Sequence, residues 1–355
     1  MIQTGLLKTE MRKIFLIVLL VLLAGCQKEK ISFSENVSEL FYVDNAGASM
    51  RVLVEGNTTS NTFILIIHGG PGVSSYFYDT NYISRNLGDK YAMVYWDQRN
   101  SGASQGNNNG GNLNLEQMVE DLKKVIEVLK FRYGQNMNLF LIGHSFGGLL
   151  SSDFVTRPDY QKMIKGLIYV DGSHNYPLND TLTREMLLKV GQTQTSLNRN
   201  VEKWEPIISY CNSHHGNFSL EESQQLESYA SDAESYIDSV KKISIASLIL
   251  KYAIPDKLPL TALFVNLLYS EDSNFNGELA KTEFSSLLYK VTIPVLVLWG
   301  KYDFICPQPL GEDFFNRISS TEKKMVISSQ SGHNLILQDK KLFCEEVNSF
   351  VLKYR

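Results

Sequence analysis

The chain has 355 residues, 43% of them hydrophobic and 20% charged, with a formal net charge of −4. That length and composition suit one sizeable globular domain, or one domain carrying an insertion, with ample core. No overall basic field is present to hold a polyanion, which excludes nucleic acid as a partner class.

Lys8, Arg12 and Lys13 precede an unbroken apolar run from Ile14 to Leu23, which ends in Leu23-Ala24-Gly25-Cys26. A positive segment, a short apolar stretch and small residues at the cut describe a secretory signal over residues 1–25. The run is about half the ~20 residues a spanning helix needs. Met11 begins a complete signal by itself. Leu-Ala-Gly-Cys also resembles the bacterial lipobox, which implies an exported lipoprotein held to a lipid bilayer of the cell envelope through Cys26. The polar residues 26–38 read as a tether. Export places Cys211, Cys306 and Cys344 in an oxidising compartment, where one pair can form and one thiol is left over. No C-x-x-C spacing or cysteine–histidine cluster suggests a metal, and no cofactor is implied. The adjacent His214 and His215 read as a solvated loop.

Short runs rich in β-branched and aromatic residues then recur with helical stretches between them. They are Arg51–Val54, Thr62–His68, Met93–Asp97, Leu139–Gly143, Ile164–Val170, Pro294–Trp299 and Lys324–Ile327. Such alternation predicts a mostly parallel twisted sheet with helices on both faces. The clearest helix follows Asn114 as N-cap and repeats Met118, Leu122, Val125, Ile126 and Leu129 on one face. More than a hundred residues separate Val170 from Pro294, against a usual connection of about 2–6. They carry helix signals, including Ser219-x-x-Glu222 as a capping box and the apolar run Leu258–Leu268, and no convincing strand. The expected organisation is a core over 39–171 and 291–355, with a helical cap inserted over 172–290 above the sheet's carboxyl edge, where open α/β sheets place ligands.

Leu139–Gly143 runs directly into Gly143-His-Ser-Phe-Gly147 and then a helical stretch, the strand–turn–helix context of a G-x-S-x-G elbow. Side chains at Gly143 or Gly147 would clash in so tight a turn, and Ser145 is pushed out as the candidate nucleophile beside a helix N-terminus. The order serine, acid, histidine leaves His333, after the last strand, as the base. Asp303, just past the Pro294–Trp299 strand, is the leading acid and Asp171 the alternative; the acid orients the imidazole without taking its proton. His68-Gly-Gly-Pro-Gly72 ends an early strand, so that the Gly70 amide can join that of Phe146 in an oxyanion hole. A phosphate-binding loop would need a following Gly-Lys-Ser/Thr or Rossmann spacing, and neither is present.

Together, His68-Gly-Gly-Pro-Gly72, Asp97-Gln-Arg-Asn-Ser-Gly-Ala-Ser104, the serine elbow, Gly300-Lys-Tyr-Asp-Phe-Ile-Cys-Pro307 and Gly332-His333 resemble the prolyl aminopeptidase branch of the α/β hydrolases. The resemblance implies the α/β-hydrolase fold and release of an N-terminal residue, typically proline, from short peptides or related small molecules. Two positions depart from the family pattern. The elbow has His144 and Phe146 where the family has Gly and Trp, a form shared with esterases, and Asn100 stands where the family has Gly. The resemblance also implies cap carboxylates that bind the substrate ammonium. Between Glu202 and Asp238, eight acids face Lys203 alone. Trp204-Glu205 is similar to the family's cap Trp-Glu, which makes Glu205, with Glu202 and Glu234, the candidate ammonium ligands. A carboxylesterase on the same triad is the alternative activity. Epoxide hydrolase or dehalogenase chemistry would need an aspartate where Ser145 stands.

Overall fold

The computed structural model describes residues 33–106, 113–243 and 273–355. The signal, Cys26 and the run Leu258–Leu268 lie outside the described residues, and no described helix is long and apolar enough to cross a membrane. Nine strands make one sheet among the described residues. They are β1 (Val37–Asn45), β2 (Ala48–Gly56), β3 (Thr62–Ile67), β4 (Ala92–Trp96), β5 (Gln105–Gly106), β6 (Asn138–His144), β7 (Gly166–Val170), β8 (Val295–Gly300) and β9 (Lys323–Ser328). The order is β1-β2-β4-β3-β6-β7-β8-β9, with β5 beside β2. β1, β2 and β4 pair antiparallel, and from β4 through β3 to β9 every pairing is parallel.

β3, β4, β7 and β8 are buried along their whole length and β6 from its second residue on, as parallel strands covered on both faces must be. Helix α1 (Leu115–Tyr133) begins at Asn114, whose side chain accepts the Gln117 N–H, and buries Met118, Leu122, Val125, Ile126 and Leu129. Helix α2 (Phe146–Thr156) packs on β6 and β3. On the other face Ile64, Ile66, Phe140, Ile142, Ile168 and Val170 share a core with Phe343, Val347 and Phe350 of the C-terminal helix, Lys340–Tyr354.

The hairpin β1–β2 was not legible in the sequence, and β1 starts at Val37, inside the stretch read as tether. Its two-residue turn, Ala46-Gly47, has φ of 44° and 82°, the positive pair that a tight hairpin requires. Neither turn residue is one of the usual Asn-Gly or Asp-Gly signals.

Between β7 and β8 the described residues are mainly helical. Helix α3 (Tyr176–Ser196) is followed by α4 (Val201–Ser213) and α5 (Leu220–Ser235). The Ser219–Glu222 capping box is present at the start of α5. Leu187, Trp204, Ile207, Cys211, Leu226 and Ala230 are among the residues of a separate apolar core, which also takes in Phe304 from the loop after β8. Cys211, Cys306 and Cys344 are all free thiols, each buried in a different place, so no disulfide joins them.

Candidate active site

β3 and β6 are sheet neighbours from which the chain winds in opposite directions, and the crevice between their carboxyl ends is where such sheets bind ligands. Ser145 follows β6 at φ +56° and ψ −122°. This strained backbone is held at three points: its N–H donates to Val170 O at 3.2 Å, and its C=O accepts the amides of Gly148 at 2.8 Å and Ser173 at 3.2 Å. The glycines of the elbow are sterically required. A Cβ on Gly147 would stand 2.1 Å from Ile67 O, and one on Gly143 would stand 2.8 Å from Gly147 O.

His333, after β9, and Asp303, after β8, meet Ser145 in a line. His333 Nε2 lies 2.8 Å from Ser145 Oγ, and His333 Nδ1 lies 3.0 Å from Asp303 Oδ2. Asp303 is buried, and its Oδ1 accepts the amides of Ile305 at 2.9 Å and Cys306 at 2.8 Å. Burial pushes the His333 pKa down, but the carboxylates of Asp303, Asp171 and Glu234 outweigh it and carry it up to about 9. The alternative acid, Asp171, directs its oxygens elsewhere. Oδ1 accepts Gly300 N–H at 2.7 Å and Oδ2 accepts Leu335 N–H at 3.2 Å. Asp171 thus ties together the loops that carry Asp303 and His333, while Asp303 holds the ring.

The glycine loop after β3 comes up against the nucleophile. A Cβ on Gly69 would stand 2.7 Å from Ser145 Cβ, and Gly70 has φ +52°. Gly70, Ser145 and Phe146 line one cavity of about 250 Å³. Phe146 is the first residue of α2, and the first amides of a helix have no intrahelical acceptor.

Two supports for this loop were missed in the sequence. Asp97, at the end of β4, accepts Ser74 Oγ–H at 2.8 Å, Ser75 N–H at 2.8 Å and Ala103 N–H at 2.9 Å, and faces Arg51 at 3.6 Å. Gln98 donates N–H to His68 Nε2 at 3.2 Å and its side-chain amide to His68 O at 2.9 Å. Asp97 and Gln98 of the Asp-Gln-Arg motif therefore brace the glycine loop and the turn after it, while Arg99 pairs with Asp121 of α1. Asn100, where the family has glycine, sits at φ +52°, a left-handed conformation that asparagine tolerates better than most side chains.

His144 is the second support. Burial drops its pKa to about 3, so the ring is neutral and carries one proton. Nε2 faces His333 O at 2.7 Å, which can only accept, so Nε2 carries that proton and Nδ1 accepts Tyr78 O–H at 2.8 Å. Tyr78 Oη accepts Gly69 N–H at 3.3 Å. The elbow residue that distinguishes this chain thus links the glycine loop to the histidine loop.

The candidate ammonium ligands are placed apart. Trp204, Ile207 and Cys211 turn one face of α4 into the separate apolar core, which leaves Glu202 and Glu205 exposed on the opposite face, away from the residues that line the Ser145 cavity. Glu234 contacts the His333 loop instead, its carboxylate accepting His333 N–H at 2.8 Å. The carboxylates between β7 and β8 that do line the cavity are Asp180 of α3 and Glu227 of α5. Neither was singled out in the sequence; the signal that could have found Asp180 is its helical spacing with Thr183, Leu187 and Gly191, the stripe that α3 buries. Burial raises the Asp180 pKa to about 6.

Asp303, Cys306 and His333 also offer a carboxylate, a thiol and an imidazole within 4.8 Å of one another. The hydrogen bonds of Asp303 and His333 to each other account for that proximity. His214 stacks on Tyr210, and His215 is exposed.

Sheet, elbow and crevice define an α/β hydrolase. Residues 59–248 match the hydrolase family described as serine aminopeptidase, S33, and the chain belongs to that family. The proline iminopeptidase of Saccharolobus solfataricus is 22% identical over 299 residues, covering 82% of this chain and 85% of that protein. Among solved structures, the proline iminopeptidase of Mycobacterium smegmatis superposes with a TM-score of 0.63 at 17% identity, covering 89% of this chain and 98% of its own. An esterase of Exiguobacterium antarcticum superposes with a TM-score of 0.58 at 16% identity, covering 88% and 99%.

Proposed function

We propose that the chain is a serine hydrolase that releases an N-terminal aminoacyl group of the proline type through a covalent acyl-enzyme. The observation that carries this reading is the hydrogen-bonded line Ser145–His333–Asp303 opening into a cavity whose cap wall bears Asp180 and Glu227. Ser145 Oγ attacks the scissile carbonyl as its proton passes to His333 Nε2. The carbonyl oxygen, now negative, takes hydrogen bonds from the Gly70 and Phe146 amides. Collapse of the intermediate breaks the amide bond, and His333 returns the proton to the leaving amine. Water, deprotonated by the same ring, then attacks the acyl-enzyme and regenerates Ser145. Asp303 keeps the His333 Nδ1 proton in place and stabilises the imidazolium. Asp180 and Glu227, rather than Glu202 and Glu205, take the substrate ammonium, and residues 172–290 act as the substrate-selecting cap.

A carboxylesterase is the second reading, favoured by the esterase-like elbow and by the apolar part of the cavity lining, Leu220, Leu226, Leu279 and Ile305. Labelling with a fluorophosphonate probe tests the nucleophile in either case. A parallel screen of proline and other aminoacyl chromogenic amides against short-chain aryl esters separates the two; turnover of esters alone would overturn the aminoacyl reading. We also propose that the protein is exported and anchored to the cell envelope through acylated Cys26, on the strength of the Leu23-Ala-Gly-Cys26 site.

A further inference from the structure

Helix α5 reaches the histidine loop through one residue of its last turn. Glu234 Oε2 accepts the His333 N–H at 2.8 Å, and Glu234 Oε1 accepts the Gln338 side-chain amide at 2.9 Å. Gln338 in turn accepts the Gly332 N–H at 2.8 Å through its own Oε1. Two successive amides of the loop that carries the base therefore end on one cap carboxylate, one directly and one through Gln338. Gly332 makes the approach possible, because a Cβ there would stand 2.1–2.5 Å from the carboxyl atoms of Glu234. On the other side, the His333 carbonyl accepts from His144 at 2.7 Å. Glu234 is absent from the described lining of the Ser145 cavity and borders a separate groove with Phe77, Ile237, Leu337, Lys203 and Lys241.

We propose that Glu234 is a positioning residue for the base: its carboxylate, delivered by the cap, fixes the His333 main chain where the ring meets Ser145. This rests on the reading of Ser145 and His333 as nucleophile and base. The same helix contributes Ser223, Gln224, Leu226 and Glu227 to the cavity wall, so substrate contacts and base position share one element. The role differs from ammonium recognition, because both Glu234 oxygens are occupied by the histidine loop and its Gln338 support.

The charge matters as well as the reach. The ionisable groups that face His333 are Asp303 from the loop after β8, Asp171 from the loop after β7, Glu234 from α5, the neutral His144 from the elbow and the buried Cys306 thiol, whose pKa is pushed up by burial and by Asp303 so that it carries no charge. Those facing Glu234 are Asp303 and His333, with Lys203 and Lys241 along the groove. Removing the Glu234 charge withdraws part of what favours the imidazolium, so the acid limb of kcat/KM moves to lower pH.

The test compares Glu234→Gln, which removes charge, with Glu234→Asp, which keeps charge and shortens the reach. In Glu234→Gln, kcat should fall about ten- to a hundredfold on aminoacyl amides and aryl esters alike, as expected when a base is misplaced by about 1 Å, with KM nearly unchanged. Fluorophosphonate labelling of Ser145 should slow by a similar factor, and the acid limb should move down. Glu234→Asp should also lose kcat and labelling rate while its acid limb stays with the wild type. If Glu234→Gln does not fold, Glu234→Asp decides on labelling rate. Wild-type labelling rates and an unshifted acid limb in the folded variants would overturn the proposal. A rise in KM for aminoacyl amides alone, with esters and labelling untouched, would overturn it too and make Glu234 an ammonium ligand. Failure of the wild type to label at Ser145 would instead remove the serine-hydrolase reading.

Discussion

Ser145 keeps its strained backbone because three hydrogen bonds hold it, none of which uses the hydroxyl. Ser145→Ala should therefore fold normally and lose activity by a factor of roughly 10³ or more. His333→Ala should cost about as much, and the double variant should lose little beyond either single one, since the two groups act as a unit. A Ser145→Ala enzyme with a tenth of wild-type turnover would contradict the mechanism. Asp180 tests the substrate class. A charged hydrogen bond to an ammonium is worth about 1.5–3 kcal/mol, which is ten- to a hundredfold in kcat/KM. Asp180→Asn and Glu227→Gln should slow aminoacyl amides by that factor and leave acetate esters nearly unchanged, whereas Glu202→Gln and Glu205→Gln should change neither. Because the Asp180 pKa is raised to about 6, a cationic amine inhibitor should bind more weakly as pH falls through that value. Equal, small effects on both substrate classes would transfer the lead to the esterase reading.

At the scale of elements, the site is a set of loops braced at their backs. The loop after β4 supports the glycine loop through Asp97, and that carboxylate is buried against Arg51. Asp97→Asn removes one partner of a buried pair and weakens acceptors used by Ser74, Ser75 and Ala103, so it should destabilise by about 3 kcal/mol. Urea unfolding measures this, and a loss below ~1 kcal/mol would mean that the loop stands without it. His144 performs the matching task between the glycine and histidine loops. Its ring is taken up by Tyr78 and the His333 carbonyl and does not line the Ser145 cavity, so a histidine stands at this elbow position without entering that cavity.

For the whole molecule, pH reports the charge surrounding the base. In the proposed mechanism His333 must be neutral to take the Ser145 proton, and a pKa raised above the ordinary 6.5 should displace the acid limb of kcat/KM upward, into the alkaline range. An acid limb at or below 6.5 would mean that the buried carboxylates around His333 do not carry the charge assigned to them. Location is a separate matter: Cys26→Ser should move the protein from membranes to a soluble fraction with unchanged turnover. Palmitate labelling that persists in this variant would dispose of the lipobox assignment.

Much of this was legible along the chain because the signals are local. Apolar runs in the pattern of buried strands, the glycines that a tight elbow demands, the Asn114 and Ser219 caps, and the chain order of Ser145, Asp303 and His333 each depend on a few consecutive residues or on sequence order alone. Contacts between distant segments were decided only by the tertiary structure. His333 stands 188 residues from Ser145, and the ring's choice of Asp303 over Asp171 depends on which carboxylate the surrounding amides leave free. The cap acids were the least legible. A carboxylate on a helix faces the cavity, the solvent or another loop according to the rotation that the buried stripe imposes, and that rotation turned Asp180 inward, Glu202 and Glu205 outward, and Glu234 toward the base.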